Sequence, residues 1–242
     1  MPGYVAPTPG RAQGPPLQLF DFRGVQLDTI RFILFDLDDC LYPRASGLMP
    51  AVNRRISGYM MERMGMAPEV VNALRVEYFQ KYGTTMRGLS IHYGINCDDY
   101  LEYVHDLPIT DYLAPNTALD QALASIPCPK VIFSNASAGH CQRVLAALGI
   151  ARHFQQVFDV AAVDYEGKPA VSAYHKVLRA ISARPSECLI VEDTLRNLLP
   201  AKEMGIVTVL VDGNKPGPVE GVDYVVAEAR QVAEVIEGLR RL

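Results

Sequence analysis

The sequence predicts an α/β protein with a doubly wound parallel sheet and a small all-helical domain inserted after the first strand. From residue 31 onward, short apolar segments of strand length alternate with helical segments, which is typical of a parallel sheet covered by helices on both faces. Residues 44–113 interrupt this alternation, because they contain helical patterns and no strand-like segment. Acidic or other polar residues directly follow several of the apolar segments, where such sheets bind ligands.

Six segments have the continuous apolar composition of buried parallel strands. They are RFILFD at 31–36, KVIFSN at 130–135, VFDVAAV at 157–163, CLIVED at 188–193, VTVLV at 207–211 and DYVVA at 223–227. The clearest helical segments between them are GHCQRVLAALG at 139–149, SAYHKVLRAIS at 172–182 and RNLLPAKEMG at 196–205. Gly149 and Gly205 end two of these segments, as expected where a left-handed residue stops a helix.

The predicted domain boundaries follow from these segments. Residues 29–43 and 114–242 form the α/β core, and residues 44–113 form a helical cap. The cap helices are expected near 48–64, 68–82, 86–93 and 97–105. Residues 1–28 are rich in proline and glycine, which disfavour helices and sheet ladders, so this segment is predicted to be a flexible tail.

Composition and charge exclude several classes of protein. The formal net charge of −4 and the absence of a basic stripe argue against a nucleic-acid partner. The five scattered cysteines contain no Cys-x-x-Cys pair, which predicts neither a disulfide framework nor a zinc site and fits a reducing compartment. The first residues lack the apolar segment of a secretory signal, and no apolar run has the length of a membrane span. We therefore expect a cytoplasmic protein, a monomer or homodimer, with a small-molecule substrate and no membrane partner.

Polar residues stand at the carboxyl ends of several predicted strands and before one core helix. Parallel strands bring these ends to one edge of the sheet, so the side chains are expected to converge. A lone Asp-x-Asp after a strand is usually a polar turn, but here other segments supply partners, and like charges so close together favour a bound cation. In chain order the residues are Asp36, Asp38, Ser134, Asn135, Lys168, Glu192 and Asp193.

Four of these segments carry a resemblance to a known family. DLDD, SN, KP and EDTLRN, in this order, resemble the four motifs of the haloacid dehalogenase superfamily of aspartate-nucleophile phosphohydrolases. More narrowly, FDLDDCLYP, YGTTMRGL in the insert and VEDTLRNL are similar to the pyrimidine 5'-nucleotidase-like branch. The resemblance covers residues 31–212 and implies a Rossmann-like core, a helical cap and a Mg²⁺-dependent phosphatase.

The chemistry of the residues agrees with this resemblance. Asp36 would attack phosphorus and form an aspartyl-phosphate, and Asp38 would protonate the leaving group and then activate water. Mg²⁺ prefers oxygen ligands, which Asp36, Asp193 and the backbone carbonyl of Asp38 would supply. Glu192 is either a further metal ligand or a neighbour that supports the site.

The phosphoryl oxygens would be bound by Lys168 and Ser134. Lys168 is preferred over Lys176, because a loop lysine before proline matches the family pattern, whereas Lys176 is expected in mid-helix facing solvent. Asn197 stands where many relatives carry a second carboxylate. Cys40 stands where relatives usually have threonine, which weakens the expected support of Asp38.

The rest of the substrate would be bound by Asn135, by Arg87 in the cap, and by Tyr42 and Arg44 just after the nucleophile. UMP or CMP are expected among the better substrates. Other phosphatases, for sugar phosphates or phosphoglycolate, and a β-phosphoglucomutase-type phosphomutase remain alternatives, because they would use the same residues. A 2-haloacid dehalogenase, which needs neither a second aspartate nor a metal, and a non-catalytic binding module are disfavoured because every motif residue is present.

Overall fold

The computed structural model describes residues 30–213 and 217–240, so the predicted tail at 1–28 lies outside the described residues. Their sheet is six-stranded, with strand order β3-β2-β1-β4-β5-β6, and every neighbouring pair is parallel. The strands are β1 (Phe32–Phe35), β2 (Lys130–Phe133), β3 (Phe154–Phe158), β4 (Cys188–Glu192), β5 (Val207–Val211) and β6 (Tyr224–Val226). The predicted doubly wound α/β class is confirmed. The strand order reverses between β1 and β4, and this is the crevice in which such sheets bind ligands.

The helices of the described residues fall into two groups. Four follow β1 and build the cap: α1 (Leu48–Gly58), which continues as a π-helical turn (Tyr59–Arg63), α2 (Pro68–Tyr82), α3 (Thr85–Tyr93) and α4 (Cys97–His105). Five flank the sheet: α5 (Thr117–Ser125), α6 (Ala138–Leu148), α7 (Val171–Ala180), α8 (Leu195–Glu203) and α9 (Val232–Arg240). Gly149 and Gly205 have φ of 73° and 90°, which confirms the left-handed helix stops.

The third strand lies earlier in the chain than the sequence predicted. The expected segment was 157–163, whereas β3 is Phe154–Phe158 and Ala161–Val163 is a 3-10 turn. Asp159 ends the strand, because its carboxylate accepts hydrogen bonds from the N–H groups of Ala162 and Ala138. The strand is at the sheet edge and exposes Gln155 and Gln156, so its first residues lack the continuous apolar pattern of a central strand.

Apolar packing fills both faces of the sheet and the inside of the cap. One face packs against α5, α6 and α9, and the other against α7 and α8. The cap has a separate core that includes the buried rings of Tyr59, Tyr78 and Tyr100. Much of the aromatic content of the insertion therefore serves helix packing and is not available to stack against a ligand. In the described part of the chain, no helix combines the length and the apolar character that crossing a membrane requires.

The cap contacts the carboxyl edge of the sheet through several polar bonds. The Tyr165 hydroxyl donates to Asp98 at 2.6 Å, and the Arg143 guanidinium donates to the His105 carbonyl at 2.5 Å. The loop after α2 lies against the loop before α7 at Gly83, where φ is 88° and an added Cβ would lie 2.7 Å from the Lys168 carbonyl oxygen. Glycine permits this close approach, which brings the cap over the strand ends.

Candidate active site

A buried ion cluster lies at the carboxyl end of β1. Asp36 is the first residue after β1, and the Lys168 ammonium donates to its Oδ1 at 2.7 Å and to Glu192 Oε2 at 2.6 Å. Burial and the nearby Glu192 raise the pKa of Asp36 well above its usual value. Burial would lower the pKa of Lys168, but the charges of Asp36 and Glu192 outweigh it and raise that pKa. The lysine is thus a permanent cation beside the predicted nucleophile.

Asp38 is held by two side chains that the sequence did not link to it. His140 Nε2 lies 2.9 Å from Asp38 Oδ1, and the Tyr42 hydroxyl donates to the same oxygen at 2.5 Å. Burial would raise the pKa of Asp38, but the charge and hydrogen bond of His140, with the Tyr42 bond, lower it below the usual value. Tyr42, predicted to contact substrate, is buried and holds Asp38 in place instead.

The imidazole of His140 is held in place by a second buried histidine. It is fully buried and stacks on His105 with ring centroids 4.3 Å apart, while His105 Nδ1 lies 3.0 Å from Ser137 Oγ. Within the described residues His140 Nδ1 has no hydrogen-bond partner, whereas Nε2 faces Asp38. Burial lowers the pKa of His105 to about 3, with a further lowering from His140, so His105 is neutral at physiological pH.

Three carboxylates at this edge form a group with the spacing of a metal site. Ligand oxygens of Asp36, Glu192 and Asp193 lie within 4.8 Å of one another. The crowding that raises the pKa of Asp36 is what a divalent cation would relieve, so the donor set fits a hard, oxygen-bound ion such as Mg²⁺. Glu192 differs from the other two because its oxygens already accept four hydrogen bonds, which satisfies a carboxylate. The donors are Lys168 Nζ, Asn197 Nδ2 and the backbone N–H groups of Asp193 and Thr194.

Ser134 and Asn135 follow β2 and face the same edge. Ser134 is buried, and its Oγ accepts the N–H of Ala136 at 3.1 Å, which leaves the hydroxyl proton for another acceptor. Asn135 was predicted to bind substrate, but its side chain accepts from the Lys168 N–H at 2.7 Å and donates to the Lys168 carbonyl at 2.9 Å. A Cβ at Gly167, where φ is 65°, would meet Asn135 Oδ1 at 2.6 Å, so this glycine lets the lysine loop fit against the asparagine.

The predicted arginines lie in different places. Arg44 lines the cavity, and its Nη2 lies 2.6 Å from Asp193 Oδ2. Arg87 does not reach the cavity: it lies outside it, with Nη2 3.6 Å from Glu166 Oε1, because α3 begins at Thr85 and turns residue 87 toward the loop before α7. Lys176, expected to face solvent, is half-buried and pairs with Asp164 at 2.8 Å.

The cavity between cap and core has a volume of about 870 Å³. On the core side it is lined by the residues just described, including Asp36, Asp38, Ser134 and Lys168. On the cap side it is lined by α1, α2, α4 and the segment from Gly83 to Met86. Its cap side includes Arg75, which the sequence analysis missed. The helical spacing of Arg75 from the buried Val71 and Tyr78 was the available signal, since all three fall on the inner face of α2.

Comparisons with known proteins identify a matching family and proteins of similar fold. A family model described as haloacid dehalogenase-like hydrolase matches residues 30–205. Phosphate metabolism protein 8 of Saccharomyces cerevisiae is 28% identical over 138 residues, which are 52% of this chain and 42% of that protein. The match therefore spans less than half the length of that relative.

Two solved structures share the fold at low sequence identity. The HAD phosphatase from Thermococcus onnurineus has a TM-score of 0.57 at 15% identity and covers 87% of this chain and 100% of its own. The L-2-haloacid dehalogenase from Xanthobacter autotrophicus with chloropropionic acid covalently bound has a TM-score of 0.56 at 16% identity, over 86% of this chain and 99% of its own. These two likenesses support the fold alone. The family model, which matches residues 30–205, shows that the chain belongs to the haloacid dehalogenase-like hydrolases.

Proposed function

We propose that this hydrolase is a magnesium-dependent phosphatase that acts on small phosphate monoesters through an aspartyl-phosphate on Asp36. Its proposed substrates are pyrimidine nucleoside 5'-monophosphates. The observation that carries the proposal is the buried Asp36–Lys168 pair beside Asp38, whose carboxylate is held by His140. A dehalogenase would have no use for the second aspartate, and the yeast relative, a phosphate metabolism protein, also points to phosphate chemistry.

The residues suited to Mg²⁺ are Asp36 and Asp193, with the backbone carbonyl of Asp38. When bound there, the ion would neutralise the crowded carboxylates and the charge on the phosphoryl oxygens. Glu192 would support the site without binding the ion, because its hydrogen bonds hold Lys168 and the start of α8.

In the first half-reaction an Asp36 oxygen attacks phosphorus, and the bond from phosphorus to the leaving-group oxygen breaks. Lys168 has three N–H donors, of which Asp36 and Glu192 occupy two, so one remains for a phosphoryl oxygen. The Ser134 hydroxyl donates a second hydrogen bond to the phosphoryl group. These fixed donors stabilise charge where it develops in the transition state.

Asp38 moves the protons in both half-reactions. In the first it gives a proton to the leaving alkoxide, and the dianionic phosphate entering the site favours the protonated acid by raising its proton affinity. In the second the carboxylate, which His140 and Tyr42 stabilise, takes a proton from water. That water attacks phosphorus, releases phosphate and restores Asp36.

The cavity supports a substrate larger than phosphate. Its volume of about 870 Å³ lies within the range of small-molecule sites. The cap lines it with apolar side chains such as Val52, Ile56 and Leu101, together with Asn53 and Arg75. A nucleoside, with its flat base and polar edge, suits such a mixed surface, and the YGTTMRGL segment of the cap resembles the nucleotidase branch.

The test is turnover of UMP, CMP, glucose 6-phosphate, phosphoglycolate and p-nitrophenyl phosphate with Mg²⁺. We expect the nucleotides to be hydrolysed fastest, and we expect excess EDTA or Asp36→Asn to abolish turnover. Asp39→Asn is the matched control, because this neighbouring acid directs its side chain toward Arg44, 3.7 Å away, and should retain most activity. Activity in EDTA or in Asp36→Asn would refute the mechanism. A lead of about tenfold for the sugar phosphate or phosphoglycolate would refute only the substrate class.

A further inference from the structure

Arg75 on α2 is a cavity-lining cation whose hydrogen-bond partners in the described structure are neutral. Its Nη1 donates to Ser57 Oγ at 2.7 Å, and its Nη2 donates to Asn53 Oδ1 on α1. Its Nε is buried and has no hydrogen-bond partner among the described residues. Two of the three guanidinium nitrogens are thus anchored to the cap, and the third has an unused N–H.

The lack of a counter-charge distinguishes Arg75 from other cations near the site. Arg44 pairs with Asp193, Lys168 with Asp36 and Glu192, and Arg87 with Glu166. For Arg75 no carboxylate lies within ion-pair distance in the described part of the chain. Burial lowers the pKa of Arg75, which reflects the cost of keeping its charge away from water. An incoming oxygen acceptor would reduce that cost.

The position of Arg75 in the cavity favours a substrate oxygen as the acceptor for its unused N–H groups. Arg75 belongs to the cap side of the cavity, whereas the groups suited to the phosphoryl group, Asp36 and Lys168, belong to the core side. Its neighbours in the lining include the apolar side chains of Ile56 and Val76, which offer no competing acceptor. A guanidinium fixed by two of its five N–H groups keeps a defined direction for the other three, so it can select geometry as well as charge.

We infer that Arg75 is a specificity-determining residue, which binds a carbonyl or carboxylate oxygen on the leaving group of the substrate through unused N–H groups of its guanidinium. The inference rests on the proposed phosphatase function and adds the recognition of the leaving group. Two sources supply such an oxygen: the exocyclic carbonyl of a pyrimidine base and the carboxylate of a phosphorylated acid. Asn53 and Ser57 are positioning residues, because they hold the guanidinium through two N–H groups and leave the others for the ligand.

The experiment compares Arg75→Met and Arg75→Lys with the wild type on four phosphate monoesters in the presence of Mg²⁺. UMP carries the base carbonyl, 3-phosphoglycerate carries a carboxylate, and ribose 5-phosphate and p-nitrophenyl phosphate lack both. For whichever oxygen-bearing substrate the wild type prefers, we expect Arg75→Met to raise KM at least about tenfold, with a much smaller change in kcat. The loss in kcat/KM for ribose 5-phosphate should be several times smaller. Lysine, a point charge in place of the planar group, should restore little.

Arg87→Met is the matched comparison, since it removes a second cap arginine that lies outside the cavity. Its preference among the four substrates should stay that of the wild type, and a selective loss there would transfer the role to Arg87. Equal losses on all four substrates in Arg75→Met, or a wild type that prefers ribose 5-phosphate, would overturn the inference while leaving the phosphatase proposal intact. A wild type inactive on every ester would refute the proposed function itself, and with it the inference that depends on it.

Discussion

Lys168→Met should destabilise the protein by about 3–5 kcal/mol at pH 8. Lys168 is 1% exposed and lies between two carboxylates, those of Asp36 and Glu192, at 2.7 and 2.6 Å. Methionine has nearly the same length and fills the space, so the loss comes from charge and not from a cavity. Removing the cation leaves two buried carboxylates that must either stay ionised without a partner or take up protons.

The pH dependence of this loss follows from linkage. Without Lys168 the folded-state pKa values of Asp36 and Glu192 rise further above their unfolded values, which lie near 4. A carboxyl group whose pKa is higher in the folded state than in the unfolded state stabilises the fold at low pH. As the pH rises above the unfolded-state pKa, each such group lowers the free energy of unfolding by about 1.4 kcal/mol per pH unit, until it ionises in the folded state. At pH 5 the variant is only about one unit above the unfolded values, so its deficit should shrink to about 1–2 kcal/mol.

Urea denaturation followed by circular dichroism, in EDTA at pH 5, 6.5 and 8, measures the deficit against the wild type. The slope of free energy against urea should be unchanged, because both proteins expose similar surface on unfolding. Lys176→Met is the control: its partner Asp164 is 79% exposed, and the loss should stay below about 1 kcal/mol. A deficit of the same size at pH 5 and pH 8 would refute the reasoning and assign the effect to packing.

Three further predictions concern the acid–base group, the cap contact and a buried histidine. Asp38→Asn should slow hydrolysis of alkyl phosphates at least about a hundredfold but affect p-nitrophenyl phosphate less, since nitrophenolate leaves without a proton; equal losses in kcat would contradict this. Gly83→Ala should lower kcat/KM for UMP at least about tenfold, because the added Cβ would lie 2.7 Å from the Lys168 carbonyl oxygen and 2.5 Å from Pro169 Cδ. Unchanged kinetics in this variant would show that the loop can move to make room for the Cβ. His105 has a folded pKa of about 3, below its unfolded value, so the wild type should lose about 2 kcal/mol of stability between pH 7 and pH 5 as the unfolded state gains the proton. His105→Gln should lack this loss in urea titrations, and parallel curves for the two proteins would count against it.

The arrangement of the core was predictable because its signals are local. β1, β2, β4 and β5 are central strands buried on both faces, and each appears in the sequence as a continuous apolar segment. β3 was misplaced because an edge strand with one exposed face does not need that pattern. The cap helices were found with nearly the observed bounds, since their capping residues and glycine stops act within one turn of the chain.

The roles of individual polar side chains were harder to predict. His140 appeared as a local group near a helix start, yet it contacts an aspartate 102 positions earlier in the chain. Asn135 and Tyr42 were predicted to bind substrate, and the structure shows contacts that the sequence did not indicate, to the Lys168 backbone and the Asp38 carboxylate. A side chain three to five bonds long can point to several neighbours from one backbone position, and only the packed surroundings select among them.

The sequence was enough to predict the fold class, the cap and the meeting of Asp36, Asp38, Lys168 and Asp193 at one edge of the sheet. It could do so because parallel strands place every strand-end motif on the same side, whatever the distance along the chain. Which cap arginine lines the cavity became clear from the packing of the helices in three dimensions. Arg75 and Arg87 lie on different helices, and the way α2 and α3 pack against the core turns Arg75 toward the cavity and Arg87 toward Glu166. That choice depends on the packing of whole helices, because the spacing of Arg75 from Val71 and Tyr78 indicates only the inner face of α2.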